Sequence, residues 1–242
     1  MQNRYAGDVG DFGKLGMLRQ LAANRLRVGV NWYLVADEAH NDDGKHIGYL
    51  TDAKFLGCDD ELLGKLGVMV YSDQRSIPML ESLNLIPDAT YYHEELTWQP
   101  VDHQWIRAKW HEASLKVLDT CDIVFMDPDN GLIPPSVSKG GRKSIKYVRH
   151  EEIVDFFQAG HSVVFYNHRS RMSEQAYLER FRAFFSSPEL HNGVPFGIKY
   201  VRGTIRDYFF LVQPYHVVQV EKALESMLGR TWSRHFRKLP LR

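Results

Sequence analysis

The chain has 242 residues, of which 44% are hydrophobic and 25% are charged, and its formal net charge is zero. This length suits one large α/β domain, residues 1–242, and the neutral charge excludes strong nucleic-acid affinity from bulk charge, so any such site must be a local basic patch. Cys58 and Cys121 have neither disulfide nor zinc spacing, and no leader peptide or membrane-spanning run is evident. We therefore expect a cytoplasmic protein without membrane contact.

A glycine-rich segment, residues 5–14, comes first, and we interpret it as a tight loop leading into a helix. Each glycine inside a helix would cost about 1 kcal/mol relative to alanine. Asp8 or Asp11 suits the N-cap of the helix that follows. Two interpretations stay open: a capped helix start, or glycines that let the backbone approach a ligand held by Asp8, Asp11 and Lys14.

Alternating strands and helices are predicted after this segment. Strands are predicted at 28–36, 68–71, 90–93, 123–126 and 162–166, and helices at 59–66, 75–84, 102–118, 150–158, 173–185 and 217–228. The inward-facing side chains predicted for helix 102–118 are Trp105, Ala108, Leu115 and Leu118. Residues 196–202 and 206–212 have the spacing of an antiparallel hairpin. The order predicts a three-layer, Rossmann-like sheet of the methyltransferase type, mostly parallel, with a helical insertion at about 51–88 and a C-terminal hairpin.

Polar side chains follow three of the predicted strands. The apolar run 123–126 suits a strand buried on both faces, and it stops abruptly at a proline and an Asn-Gly turn pair. Ligands of open α/β sheets bind at the carboxyl ends of the strands, so we expect these groups to share one pocket. They are Asp37 after the first strand, Asp127, Asp129 and Asn130 after strand 123–126, and His168 after strand 162–166.

A basic loop follows Asn130 and contains no acid before Glu151. Its cations are Lys139, Arg142, Lys143, Lys146 and Arg149, and the segment 230–242 holds five more basic residues without an acid. Such a loop is either a clamp for phosphates or a solvated surface loop.

Two motifs resemble a known enzyme family. The segment Ala6-Gly7-Asp8-Val9-Gly10-Asp11-Phe12-Gly13-Lys14 is similar to the A-G-N-x-x-D-x-x-K segment of the large-subunit rRNA adenine-N6 methyltransferases of the J type. The segment 127–130 resembles the D-P-P-Y motif of that family, and Tyr91-Tyr92 lies near its tyrosine pair. The chain also resembles a bacterial protein family that shares D-P-D-N-G and a Y-x-H-x-x-R-like motif.

The resemblance implies an S-adenosylmethionine-dependent, methyltransferase-like enzyme that acts on nucleic acid. The catalytic group would be Asp127, Asp129, Asn130 and His168, with Asp127 accepting a hydrogen bond from the target amino group. The methyl donor would be held by Gly7, Asp8, Asp11, Lys14 and Asp37, and substrate phosphates by Lys143, Lys146, Arg169 and Arg171. The chain differs from the family after the first strand, where the glycine-rich loop is missing. It also differs at Asp129 and Asn130, which replace the second proline and the aromatic residue of D-P-P-Y. Tyr147 or Tyr166 would then have to supply the aromatic ring that stacks on a flipped base.

Two other functions stay open. The aspartates Asp8, Asp11, Asp37, Asp127 and Asp129 could instead hold Mg²⁺ or Mn²⁺ in a nuclease or phosphodiesterase on the same fold. In that case Lys146, His168, Arg169 and Arg171 would neutralise phosphate charge. A binding module that kept the fold and lost the chemistry is the third interpretation.

Overall fold

The computed structural model describes residues 1–38, 44–169 and 172–241. Its strands are β1 (Val28–Asn31), β2 (Thr90–Tyr92), β3 (Ile123–Met126), β4 (Gly131–Leu132), β5 (Tyr147–Val148), β6 (Ser162–His168), β7 (Val194–Arg202), β8 (Thr204–Val212) and β9 (Phe236–Lys238). Its α-helices are α1 (Val9–Ala23), α2 (Asp60–Tyr71), α3 (Ile77–Ser82), α4 (His103–Val117), α5 (His150–Gln158), α6 (Glu174–Phe185) and α7 (Val217–Leu228).

Seven of these strands form one sheet in the order β2-β1-β3-β6-β8-β7-β9, and β4 and β5 form a separate parallel pair. Strands β1, β2, β3 and β6 are parallel, whereas β8 pairs antiparallel with both β6 and β7. The predicted Rossmann-like fold, a mostly parallel sheet with a C-terminal antiparallel hairpin, is confirmed. Strand β9 extends the sheet beyond the hairpin and was not predicted.

The sheet has a hydrophobic core on each face, because alternate side chains of a strand point to opposite sides. Ile123 and Phe125 of β3 pack with α1, α2, α3 and α7, whereas Val124 and Met126 pack with α4, α5 and α6. All four side chains of β3 are buried, as predicted for a central strand. The molecule is thus built in three layers, helices on sheet on helices.

Most predicted helices lie close to their expected bounds, and the Ser173 side chain caps the N-terminus of α6. The predicted strand at 68–71 is wrong, because these residues complete α2, a helix that begins at the capping side chain of Asp59. The predicted first strand is too long, since Tyr33 has a positive φ of 46° and β1 ends at Asn31. Among the described residues, no helix is both long and apolar enough to cross a membrane.

The inner face of α4 differs in part from the prediction, since Leu118 is buried and Leu115 is half-buried, as expected, but the other two residues are not. Trp105 is 64% exposed and Ala108 is also exposed, whereas His103, Arg107 and Trp110 face inward. Arg107 can be buried because its guanidinium lies 2.6 Å from a carboxylate oxygen of Glu152 and also donates to two backbone carbonyls of the basic loop. A fully paired charge costs much less to bury than a free one.

The glycines of α1 do not form the predicted loop. The helix begins at Val9, and the Asp8 side chain accepts a hydrogen bond from the Asp11 backbone N–H, which confirms the predicted cap. Large side chains from the C-terminal part of the chain pack directly on its glycines: Arg206 on Gly10, Tyr200 on Gly13 and Trp232 on Gly16. A Cβ at Gly13 would lie 2.7 Å from the Tyr200 ring. Because these glycines lack a side chain, large side chains of the protein itself can pack against the helix backbone.

Candidate functional site

The first turn of α1 lies over the carboxyl ends of β3 and β6 and beside β8. Between them is a cavity of about 310 Å³, which we call the aspartate pocket. The two segments that carry the family resemblance meet in it, although they lie more than 100 residues apart in the chain. Its wall includes seven of the predicted residues: Asp8, Asp11, Lys14, Asp127, Asp129, Asn130 and His168.

Two predicted donor-binding residues lie outside the lining of the pocket. Gly7 has a positive φ of 77°, and a Cβ at this position would collide with Met69. Its N–H donates to Asp11 Oδ2, so its role is to start the helix. Asp37 is exposed and accepts a hydrogen bond from the backbone N–H of Arg4.

Of the predicted phosphate-binding residues, Lys143, Lys146 and Arg169 also lie outside the pocket lining, in different surroundings. Lys143 is exposed on the basic loop. Lys146 lies 2.5 Å from a carboxylate oxygen of Glu38 and 3.8 Å from Asp129. Arg169 is bound to the buried Asp207 and to Glu174. The fourth predicted phosphate-binding residue, Arg171, lies outside the described residues.

A buried ion triad forms the floor of the pocket. Lys14 Nζ lies 2.5 Å from Asp11 Oδ1 and 2.7 Å from Asp127 Oδ2. Burial alone would lower the pKa of Lys14, but attraction to Asp11 and Asp127 outweighs it and raises the pKa, so Lys14 stays a cation. Burial raises the pKa of Asp127, and the charge of Lys14 opposes that rise.

Strand β8 supplies pocket residues that the sequence did not reveal. Arg206 lies 3.0 Å from Asp8 Oδ2, and Tyr208 lines the wall. Burial raises the pKa of Asp8, although Arg206 opposes the rise. A charged residue at the start of an apolar strand was the only available signal for Arg206. Tyr166, considered from the sequence as a stacking residue, lines the pocket, and its hydroxyl lies 3.3 Å from His168 Nδ1.

Most carboxylate oxygens of the pocket already have a partner within the chain. Asp8 binds the Asp11 N–H and Arg206, and Asp11 binds the Gly7 N–H and Lys14. Asp129 binds the amino group of Met1 at 2.8 Å and the Gln2 side-chain amide at 2.6 Å. Among the described residues, only one oxygen of these four aspartates has no hydrogen-bond or ion partner, and it is Asp127 Oδ1.

The aspartates predicted as metal ligands are therefore engaged by protein donors, apart from that oxygen. Within the described ranges, His, Cys, Asp and Glu side chains form no group of three or more that could hold a metal ion. Four of the five predicted metal ligands, all except Asp37, line the pocket. The ammonium group of Lys14, however, lies between Asp11 and Asp127.

A second cleft lies at the same edge of the sheet, between the ends of β1 and β3. This is the topological switch point, because the chain crosses from β1 to β2 on one side and returns to β3 on the other. The cleft, which we call the switch crevice, is filled by residues 1–3, which we call the strap. The Met1 amino group lies 2.9 Å from the Tyr33 carbonyl and 3.1 Å from the Asp127 carbonyl, and the Val35 N–H donates to the Met1 carbonyl.

The switch crevice does not fit an adenosyl methyl donor in this conformation. The fully buried Gln2 occupies it, and its two side-chain ends bind Asp129 and the Glu38 N–H. The chain that leaves β1 continues with Trp32 and Tyr33, both fully buried, where a nucleotide-type ligand would need small residues.

Comparison with known proteins gives no assignment for either cleft. No protein-family model matches the chain, and no curated protein has a significant match to it.

Proposed function

We propose that the protein is a methyltransferase-like enzyme that uses S-adenosylmethionine and acts on an amino group of a nucleic-acid base. The observation that carries this proposal is the open oxygen Asp127 Oδ1 in the aspartate pocket. This oxygen belongs to a residue that lines the pocket, and it has no partner among the described residues, so it is available to accept a hydrogen bond from a ligand. An exocyclic amino group is such a donor.

The residues around Asp127 suit this task. Lys14 holds the other oxygen of Asp127 at 2.7 Å, so the carboxylate is fixed in one orientation. Asp127 Oδ1 would accept a hydrogen bond from the amino group and orient its lone pair. Tyr166, which is half-buried, offers ring surface at the pocket wall, and Asn130 also lines the pocket. Stacking on a tyrosine ring would hold a single base.

The open oxygen of Asp127 favours an amino group over a phosphate. The pocket wall holds four carboxylates, and Lys14, Arg206, the amino group of Met1 and, at 3.8 Å, Lys146 pair with them. These cations are already engaged, and an unpartnered carboxylate oxygen attracts a hydrogen-bond donor and repels a phosphate. Phosphates of the nucleic acid would instead contact the basic loop, where Lys143 is exposed.

The methyl donor supplies the methyl group when it is bound, and the pocket residues bind and orient the acceptor. Because the switch crevice is filled, the donor requires a different conformation of the strap.

A metal-dependent nuclease or phosphodiesterase is the second candidate. It draws support from the four aspartates in one pocket, but seven of their eight oxygens are already bound to protein donors among the described residues. A metal ion would have to displace Lys14.

The proposal is tested by titrating S-adenosylmethionine into the protein in a calorimeter and by incubating both with RNA and DNA, followed by mass spectrometry of the nucleosides. We expect binding and a base methylated at an exocyclic nitrogen. Absence of binding at millimolar donor would overturn the proposal. Manganese binding that is lost in the double variant Asp127→Asn, Asp129→Asn would support the second candidate instead.

A further inference from the structure

We propose that an aromatic surface at the start of α4 binds single-stranded nucleic acid together with the basic loop. This surface, which we call the tryptophan platform, consists of Trp98, Val101 and Trp105. The inference rests on the proposed function for the class of ligand, but it does not involve the methyl donor. The ligand is a single strand whose bases stack on the platform.

The platform is apolar, and much of it is not covered by the protein. Trp105 is 64% exposed and Val101 is 70% exposed, although tryptophan is highly buried on average. The Trp105 side chain makes no ring contact or hydrogen bond among the described residues. Trp98 is half-buried, and its indole N–H donates to the Gly140 carbonyl at 3.0 Å, so its ring is held in one place. Aromatic rings that are exposed and fixed in this way are typical of binding surfaces.

The basic loop lies directly beside the platform. The Gly140 carbonyl, which accepts the hydrogen bond from Trp98, belongs to this loop. Gln104, the neighbour of Trp105 in α4, accepts a hydrogen bond from the Arg149 guanidinium at 2.9 Å. These two contacts fix the loop against the start of α4, so the loop and the platform form one continuous surface.

The charges of this surface suit a phosphate backbone on the loop. Arg142 and Lys143 are exposed, and neither has an acid partner among the described residues. Lys139 is engaged by Glu151. Because Asp102 lies within the platform segment, we expect phosphates on the loop and bases on the platform. Free cations beside exposed aromatic rings bind single strands, since the cations contact phosphates and the rings stack on bases.

The loop also leads to the aspartate pocket. It begins at Asn130, which lines the pocket, and it returns there, because the Asn130 N–H donates to the Lys146 carbonyl at 2.9 Å. A strand that follows the loop therefore runs from the platform towards Asp127. The bases of a duplex are paired and stacked on each other, so an unpaired strand is the form that can offer bases both to the platform and to the pocket.

Trp105→Ala is the variant that tests the platform. Stacking of one base on an aromatic side chain contributes about 1–3 kcal/mol, so we expect single strands to bind about 5- to 100-fold more weakly. Trp105→Phe keeps an aromatic ring and should retain most of the affinity. Because Trp105 is exposed, neither substitution should change the thermal unfolding midpoint appreciably.

The experiment measures fluorescence anisotropy of labelled RNA and DNA single strands, and of the corresponding duplexes, with the full-length protein and its variants. The matched control is Tyr215→Ala. Tyr215 is 62% exposed, but it lies at the opposite edge of the sheet, where its hydroxyl donates to the Gly160 carbonyl. Its substitution should leave the affinity unchanged. Thermal unfolding of each variant shows that it is folded.

The outcomes separate the platform from the proposed function. Single strands that bind more tightly than duplexes, and lose this affinity in Trp105→Ala but not in Tyr215→Ala, support the platform. Unchanged affinity in Trp105→Ala overturns the platform, and the proposed function stands if the calorimetric titration shows donor binding. No binding of any strand to the unaltered protein overturns both the platform and nucleic acid as the substrate. Self-association that Trp105→Ala abolishes would also overturn the platform, because its ligand would then be a second copy of the chain.

Discussion

The switch crevice and the aspartate pocket share one wall, the segment 127–130, yet they use their polar groups in opposite ways. In the crevice, the strap binds Asp129, Glu38, Val35 and Tyr33, so the protein itself occupies the place where open α/β sheets bind ligands. In the pocket, protein donors bind all but one of the carboxylate oxygens of the four aspartates among the described residues, and the remaining oxygen is Asp127 Oδ1. The comparison indicates that the pocket leaves an acceptor free for a ligand, whereas the polar groups of the crevice are already bound by residues of the protein itself.

The largest effect is expected for Lys14→Met, which tests whether the pocket depends on its buried cation. The substitution leaves Asp11 and Asp127 buried without their shared cation. Breaking a buried ion pair from one side costs about 3–5 kcal/mol. Urea unfolding should report this loss in the free energy of unfolding. The matched control is Lys116→Met, whose exposed pair with Glu112 contributes at most about 1 kcal/mol; similar losses in the two variants would contradict a special role for Lys14.

Asp127→Asn tests the open oxygen itself. The amide is nearly the same size but carries no charge, so it accepts the amino hydrogen bond less well and orients poorly against Lys14. We expect methyl transfer to fall by about 10²–10³-fold, a typical effect of losing one charged group at a reacting centre. Asp122→Asn is the control, because Asp122 precedes the same strand at its other end and binds Arg27. An unchanged rate of methyl transfer in Asp127→Asn would show that the aspartate pocket takes no part in the reaction.

Gly13→Ala tests how tightly α1 must sit over the pocket. The added Cβ would press on the ring of Tyr200, and overpacking of this kind costs about 1–3 kcal/mol. Gly64→Ala in α2 is the control, because nothing lies within 4 Å of its Cβ position and alanine should stabilise the helix by up to about 1 kcal/mol. Opposite signs in thermal unfolding are expected, and a stabilising Gly13→Ala would contradict the packing.

The glycines of α1 show why the sequence could predict some of the molecule and not the rest. The order of strands and helices along the chain, the central strand and the Asp8 cap follow from local patterns of apolar and capping residues. The packing of Tyr200 on Gly13 does not, because the two residues are far apart in the chain. The burial of Arg107 on the inner face of α4 was not predicted for a related reason. It depends on the ion pair with Glu152, a residue that is distant in the chain.

The same distinction holds for the site. The ends of β3 and β6 and the start of α1 could be predicted to converge, because carboxyl ends of parallel strands lie at one edge of a sheet. That Arg206 would pair with Asp8, or that Gln2 would fill the crevice, depends on side chains whose partners only the folded chain brings near. Asp37 does not directly follow β1, because the strand ends at Asn31, earlier than its run of strand-forming residues predicted.

The pH dependence of methyl transfer tests the state of Asp127. Its oxygen accepts a hydrogen bond from the amino group only when the carboxylate is ionised. Because burial raises its pKa above the ordinary value of 3.8, activity should be complete at high pH and fall with decreasing pH sooner than for an ordinary aspartate. The acid limb of a kcat/KM profile measures this, and a limb at or below the ordinary value would contradict the assignment.

The smallest effect is expected for Lys143→Met, which tests whether the basic loop serves the pocket by holding nucleic acid. Lys143 is exposed, so its loss should leave the free energy of unfolding unchanged within about 0.5 kcal/mol. A lysine that neutralises one phosphate adds about 0.7–0.9 to the slope of log affinity against log salt, and its removal should lower the slope by that amount. Fluorescence anisotropy with a labelled single strand at several salt concentrations measures it. The control Lys116→Met, which removes an exposed lysine of α4, should leave the slope unchanged. Equal slopes for Lys143→Met and the unaltered protein would indicate that nucleic acid binds another surface.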